Sequence, residues 1–121
     1  MTQPHLIRLS GPWECHSTAG TVTRDWPRLA EFVAEAEGEL TLLRRFGCPT
    51  GISPADVVEL VFVGLSGLIA VSLNDVRLPP DVSRHRLSPL LPRNELKLTL
   101  SAGENSLAPD AEVRLEIFGH E

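Results

Sequence analysis

Residues 57–78 of the chain read VVELVFVGLSGLIAVSLNDVRL, and this stretch decides the fold. Val57–Val63 is apolar except for Glu59, and a short run of this kind is typical of a strand that is buried on both faces in a packed sheet. The glycines and serine of Gly64–Gly67 predict a turn. Leu68–Leu73 then predicts another apolar strand.

The end of the same stretch predicts a tight hairpin. Asn74 and Asp75 follow the second strand at once, and both residue types tolerate a positive φ. Val76–Leu78 is then the short return strand, which Pro79 and Pro80 end because proline cannot donate to a sheet.

Segments that alternate in polarity lie on both sides of this stretch. An alternation of period two indicates strands with one buried face. The predicted strands are His5–Ser10, Trp13–Cys15, Thr21–Thr23, Glu39–Phe46, His85–Leu91, Glu95–Ser101 and Glu112–Phe118. Pro89 demotes the later part of its segment to an edge or irregular piece. Gly47–Asp56 and Ala102–Asp110 are predicted loops.

One segment has the helical period instead. Apolar residues recur there at i, i+3, i+4 and i+7, which places Leu29, Phe32, Val33 and Ala36 on one face. Asp25 suits the N-cap, Pro27 the first turn and Gly38 the exit. We therefore expect one short helix near residues 26–37.

These elements predict an all-β fold, an antiparallel jelly-roll β-sandwich of eight or nine strands with one short helix. An alternating β-α-β order is excluded because only one helix is available. The 121 residues are predicted to form a single domain over 1–121, long enough to bury about two-thirds of the surface of the unfolded chain.

Composition narrows the function classes. The net charge of −5 argues against a nucleic-acid partner and against a polybasic membrane anchor, because both need a basic face. No apolar run approaches the ~20 residues of a membrane span, so no membrane partner is expected. The first residues lack the pattern of a signal peptide, which predicts a cytoplasmic location and free thiols at Cys15 and Cys48.

Several motifs occur in an order that carries a family resemblance. They are Leu9-Ser-Gly-Pro-Trp13, Trp26 with Leu29, Glu39-Leu-Thr-Leu-Leu-Arg-Arg-Phe46 with Pro49, Val61-Phe-Val-Gly-Leu65, Ala70-Val-Ser-Leu-Asn74, Leu87-Ser-Pro-Leu-Leu91 and Asn94-Glu-Leu-Lys-Leu-Thr-Leu100. Together they resemble the sugar-binding-domain jelly roll of glycoside hydrolase family 2, in the galactose-binding-domain-like superfamily. The chain departs from that pattern at Asp75, where the family usually has Gly.

The resemblance implies a non-catalytic module. In the enzymes of that family this domain is an accessory to a catalytic barrel, which carries the catalytic carboxylates, and the 121 residues contain no counterpart of the barrel. Carbohydrate is the ligand class that the resemblance implies. No cofactor is expected, and the oligomeric state stays open.

The residues themselves offer few candidates for a ligand site. Trp26 could stack on a sugar ring, with Arg24, Asp25 and His16 as polar neighbours at one end of the sandwich. The alternative for Trp26 is packing at the helix entry. Trp13 has the same two interpretations, since a tryptophan on a strand buries a large apolar area.

Metal and acid–base chemistry have weaker signals. The histidines are scattered and no Cys-x-x-Cys or His-x-x-x-His spacing exists, so no zinc site is predicted. Carboxylates at helical spacing, such as Glu31 and Glu35, are expected to be solvated. Arg44 either faces the core, where it needs a carboxylate partner such as Glu59, or is solvated at a sheet edge.

Three function classes therefore remain. The leading one is a non-catalytic binding module, with carbohydrate as its ligand. The alternative is a structural domain that binds a protein partner through a sheet face or edge and has no small ligand. A small enzyme comes last. An exposed apolar patch without an aromatic pocket would favour the protein partner, and a concave end that holds Trp26 beside polar groups would favour a sugar.

Overall fold

The computed structural model describes residues 4–18, 20–53, 55–87, 90–103 and 106–119. Its elements in chain order are β1 His5–Arg8, β2 Trp13–Ser17, β3 Gly20–Arg24, α1 Trp26–Glu35, β4 Glu39–Gly47, β5 Val57–Leu65, β6 Leu68–Leu73, β7 Val76–Leu78, β8 Arg84–Arg86, β9 Arg93–Ser101 and β10 Leu107–Phe118.

The ten strands of the described residues form two antiparallel sheets. The four-stranded sheet has the order β1-β10-β5-β8, and the six-stranded sheet has the order β3-β2-β4-β9-β6-β7. The predicted all-β sandwich with one short helix is confirmed. Neighbours such as β1 and β10, or β4 and β9, are far apart in sequence, so the chain passes repeatedly from one sheet to the other.

The core lies between the sheets and is built by alternation. On β9, Leu96, Leu98 and Leu100 are fully buried, and the residues between them face outward. Val113 and Leu115 do the same on β10, opposite β5. The period of two, visible in the sequence, therefore sets which face of each strand is apolar.

The helix closes one end of this core. It runs over Trp26–Glu35, close to the predicted 26–37, and ends where the Ala36 N–H donates to the Phe32 carbonyl oxygen. Leu29 and Val33 are fully buried, as the helical spacing predicts. Among the described residues, no helix is long and apolar enough to span a membrane.

The predicted hairpin is present. Asn74 has φ 52° and Asp75 has φ 67°, so both turn residues are left-handed and the turn is of type I′. Leu73 pairs with Val76 across it, and Val71 pairs with Leu78. The edge strand β7 is thereby held against β6.

Two predicted boundaries were wrong. Strand β10 begins at Leu107, inside the predicted loop Ala102–Asp110, and Leu107 is buried in the core. An irregularity between Leu107 and Glu112 breaks the alternation there, which explains why the pattern did not predict it. The predicted strand His85–Leu91 is reduced to Arg84–Arg86, and its Ser88-Pro89 lies outside the described residues.

Candidate functional site

Both tryptophans belong to the core. Their ring centroids lie 5.3 Å apart with the planes tilted by 56°. The Trp13 Nε1–H donates to the Leu9 carbonyl oxygen and the Trp26 Nε1–H donates to the Ala111 carbonyl oxygen, each at 2.7 Å. Trp26 is only 8 % exposed and Trp13 is fully buried. Neither ring therefore presents a face on the surface where a sugar could stack.

Arg24 and Asp25 lie beside Trp26 at the end of β3, and both are exposed. The Arg24 side chain donates to the Thr23 carbonyl oxygen at 2.9 Å. Asp25 occupies the N-cap of the helix without a side-chain capping bond. The three residues are neighbours because they are consecutive, and only the two polar ones are available to a ligand.

His16 is not brought to the same place. It pairs with Thr21 on β3, three positions along the strand from the pair of Trp13 and Arg24, which is about 10 Å. Its ring Nδ1 lies 3.0 Å from the Thr21 hydroxyl, and its Nε2 lies 3.3 Å from a Glu14 carboxylate oxygen. These contacts hold the imidazole on the outer face of the six-stranded sheet.

A small polar cavity of about 220 Å³ lies near this end, lined by Pro12, Glu14, Thr23, Leu43, Arg44 and Arg45. Burial lowers the pKa of Arg44, and the nearby Asp25 carboxylate acts in the opposite direction. The suggested partner Glu59 was wrong, because it pairs with Arg84 at 2.6 Å on the other sheet. The cavity is too small and too charged to make a sugar site without an aromatic wall.

The opposite side of the sandwich is more apolar. There the edge strands of the two sheets, β7 and β8, border a cavity of about 330 Å³. We call it the β7–β8 slot. Its lining is almost entirely aliphatic and comprises Leu73, Asn74, Val76, Leu78, Arg86, Leu87, Leu90 and Leu91.

Two apolar residues of the slot are far more exposed to solvent than valine and leucine usually are. Val76 is 63 % exposed and Leu91 is 51 % exposed. A second cavity of about 380 Å³ adjoins the slot, since Arg86, Leu87 and Leu90 line both. Adjoining, mainly apolar depressions with exposed leucine and valine side chains are typical of a surface that another molecule covers.

Arg86 is the cation of this surface. It is exposed at the rim shared by the two cavities. Among the described residues it has no ion-pair partner within 4.0 Å, whereas its strand neighbour Arg84 pairs with both Glu59 and Glu116. An apolar surface with one unpaired guanidinium favours a ligand that is itself apolar and carries a negative charge.

Two asparagines hold the slot in shape. Asn94 is buried, and its Oδ1 accepts from the Leu91 N–H and from the Asn74 Nδ2, both at 3.0 Å. Its Nδ2 donates to the Leu91 carbonyl oxygen at 2.9 Å. The Asn74 Oδ1 accepts from the Glu95 N–H at 2.8 Å. The backbone that carries Leu91 is therefore fixed to the turn that carries Val76.

The titratable groups of the described residues were compared with the needs of a metal site and of a general acid. They contain no group of three or more His, Cys, Asp or Glu side chains that could hold a metal ion. Among the carboxyls of the described residues, the pKa values of Glu14, Glu112 and Glu116 are shifted, and arginine hydrogen bonds lower all three. A general acid needs the opposite shift.

The sequence predictions missed the residues of the slot. The sequence pattern places Val76, Leu87 and Leu91 on strands or at an edge, and it gives Arg86 no role. A signal existed, because Leu87, Leu90 and Leu91 do not fit a period of two and flank a proline. Apolar residues outside any regular period are candidates for a surface patch.

Comparisons of the chain with protein-family models, with curated proteins and with solved structures find no match.

Proposed function

We propose that the chain is a non-catalytic interaction module, and that it binds a protein partner through the β7–β8 slot. The observation that carries the proposal is the exposure of Val76 and Leu91 on a lining that is mostly aliphatic. An exposed apolar patch without an aromatic pocket is what distinguishes a protein-binding surface from a sugar site.

The position of the slot supports the same function. It lies between β7 and β8, which end the six-stranded and the four-stranded sheet, so each strand leaves one side unpaired by its own sheet. Unpaired edges are where proteins recruit a strand or a loop of another chain. The Asn74–Asn94 bonds hold this surface rigid, which lowers the entropy lost on binding.

Carbohydrate, the ligand class implied by the family resemblance, is the competing proposal. A sugar site ordinarily uses an exposed aromatic face, and both Trp13 and Trp26 are buried with their indole N–H groups already bonded. Arg24, Asp25 and His16 supply polar groups without such a face. The experiment below separates the two ligands.

The test uses four purified forms of the protein, the wild type and three variants, as baits. It compares how much partner protein each form captures from an extract of cells that express the native chain. Leu91→Asp and Val76→Asp each put a charge into the slot at an exposed position, and Leu6→Asp does so at an exposed leucine on the opposite edge of the four-stranded sheet. Circular dichroism checks that all variants are folded.

We expect the wild type and the Leu6 variant to capture the same partner protein. The captured amount of that partner should fall by at least about tenfold with each of the two slot variants. Equal capture by all four forms would contradict the proposal. A glycan array run beside it tests the competing ligand. Glycan binding that Arg24→Ala abolishes and Leu91→Asp leaves unchanged would replace the protein partner with a sugar.

A further inference from the structure

The edge of β8 has a backbone that is ready to pair. Phe62 N–H donates to the Ser83 carbonyl oxygen at 2.8 Å, and Leu87 N–H donates to the Val58 carbonyl oxygen at 2.9 Å. The backbone groups of Ser83 and Leu87 therefore point toward β5. In an antiparallel pair successive residues turn their backbone groups to opposite edges, so His85 also faces β5, while the N–H and C=O groups of Arg84 and Arg86 face the free edge.

The side chains of β8 alternate in the same way. Arg84 and Arg86 lie on the outer face of the four-stranded sheet, and His85 between them is buried. Leu87, on the same side as His85, lines the slot. A strand added to this edge would point every second side chain into the slot and the others to the outer face, beside the arginines.

The charge of Arg86 favours one type of residue at the position of the added strand that lies opposite it. Arg84 already pairs with Glu59 at 2.6 Å and with Glu116 at 2.7 Å. Arg86 has no ion pair among the described residues, and the Asp56 carboxylate in the adjoining cavity accepts from the Ser53 N–H. An incoming carboxylate opposite Arg86 would form a cross-strand pair, while a lysine there would be repelled.

We infer that the β8 edge binds an extended peptide segment in which leucine-like residues alternate with acidic ones. The inference rests on the proposed function and names its partner by chemistry. The aliphatic residues of the peptide enter the slot and pack against Leu78, Leu87 and Leu91. One of its acidic residues pairs with Arg86. The peptide thereby adds a fifth strand to the four-stranded sheet. Two joined depressions of about 330 and 380 Å³ suit separate side chains of one strand.

The probe is a capped synthetic peptide, Gly-Leu-Glu-Leu-Glu-Leu-Gly, titrated into the intact protein by calorimetry. One matched peptide has lysine in place of both glutamates, and another carries N-methyl groups on the glutamate amides. The protein variants are Arg86→Glu and, as control, Arg77→Glu, which reverses an exposed charge on β7 without touching the β8 edge.

We expect saturable binding of the glutamate peptide below about 1 mM, and a loss of at least about tenfold on N-methylation, because the backbone bonds disappear. The lysine peptide and the Arg86→Glu protein are each expected to weaken binding about fivefold or more, and their combination to restore it. Arg77→Glu should leave the affinity within about twofold of the wild type.

Three results would overturn the inference. One is no binding of the glutamate peptide up to several millimolar; another is binding that N-methylation leaves unchanged. The third is binding of decanoate that depends on Arg86 while the peptides fail, which would assign the slot to a fatty acid. If capture still depends on Leu91 and Val76 when the peptides fail, the protein-binding function stands and only the peptide class is wrong.

Discussion

At the scale of single residues, Asn94 does most to join the elements around the slot. Its Oδ1 accepts from the Leu91 N–H and from the Asn74 amide, and its Nδ2 donates to the carbonyl oxygens of Leu91 and, at 3.4 Å, of Phe46. Removing it takes their partner from the part-buried N–H and C=O groups of Leu91 and from the Asn74 amide. We expect Asn94→Ala to lower the free energy of unfolding by about 2–4 kcal/mol, measured by urea denaturation.

The control for that variant is Thr99→Ala, on an outward-facing position of the same strand β9. It should cost less than about 1 kcal/mol, since no buried polar group loses a partner. Equal losses in the two variants would show that the asparagine bonds contribute nothing beyond the strand itself.

Asp75 is the residue at which the turn departs from its preferred composition. It has φ 67°, a conformation that costs a side chain energy and that glycine adopts freely. We expect Asp75→Gly to raise the free energy of unfolding by about 0.5–1 kcal/mol. The control Asp81→Gly, in the exposed loop after β7, should leave the free energy of unfolding unchanged or lower it. If Asp75→Gly lowered the free energy of unfolding, the Asp75 side chain would have a role that the geometry does not show.

The two cysteines should differ sharply in reactivity. Both are free; Cys15 is buried in the core and Cys48 is exposed. Burial raises the pKa of the Cys15 thiol to about 11, so at pH 8 it carries almost no reactive thiolate.

With Ellman's reagent we therefore expect one fast thiol per folded chain, abolished by Cys48→Ser, and a second thiol only in denaturant. Two fast thiols in the folded wild type would place Cys15 within reach of solvent.

At the scale of elements, the outer face of the four-stranded sheet is tied together by a row of ion pairs. Their order is Arg8, Glu112, Arg114, Glu116, Arg84 and Glu59, with adjacent members 2.6 to 2.8 Å apart. The row crosses β1, β10, β5 and β8. The side chain of Glu116, in the middle of the row, is only 6 % exposed. We therefore expect its removal to lower the free energy of unfolding more than the removal of any other carboxylate of the row.

Glu116→Gln is expected to lower the free energy of unfolding by about 1–2 kcal/mol at pH 7, because two charge-assisted bonds are weakened. The hydrogen bond from Arg84, followed by that from Arg114, holds the pKa of Glu116 below its ordinary value. A carboxyl with a lowered folded pKa stabilises the fold above its unfolded pKa, about 4.3, and loses that contribution as the pH falls.

The wild type should therefore lose more stability than Glu116→Gln between about pH 5 and pH 3. Urea denaturation across that range measures the difference. Glu37→Gln, at an exposed position after the helix, should follow the wild-type curve. Parallel curves for all three proteins would mean that the ion-pair row does not contribute to folding.

Elements with local signals could be predicted from the sequence, and those without could not. The β6–β7 hairpin, the helix and β9 were predicted because their turn residues and their periods lie within a few neighbouring positions. The start of β10 at Leu107 was missed because its pairing with Leu65 on β5 is distant in sequence and interrupts the alternation.

At the scale of the whole molecule, the same contrast applies to the candidate site. Aromatic and polar residue types drew attention to Trp26, Arg24, Asp25 and His16. The slot instead depends on which strands end the two sheets, and the irregular leucines around Pro89 mark its residues without showing that β7 and β8 border it. Its residues, Val76 and Leu91 among them, are ordinary core residue types left exposed by the way the chain crosses between the sheets.

The β7–β8 slot is the surface that we propose this chain presents to a protein partner. The most direct measurement places a photoreactive leucine analogue at position 91, and in a second protein at position 6, and identifies crosslinked peptides by mass spectrometry after irradiation in extract. The claim predicts crosslinks from position 91 to one segment of one protein, rich in aliphatic and acidic residues, and none to it from position 6. Crosslinks of equal yield from both positions, or none from position 91, would contradict it.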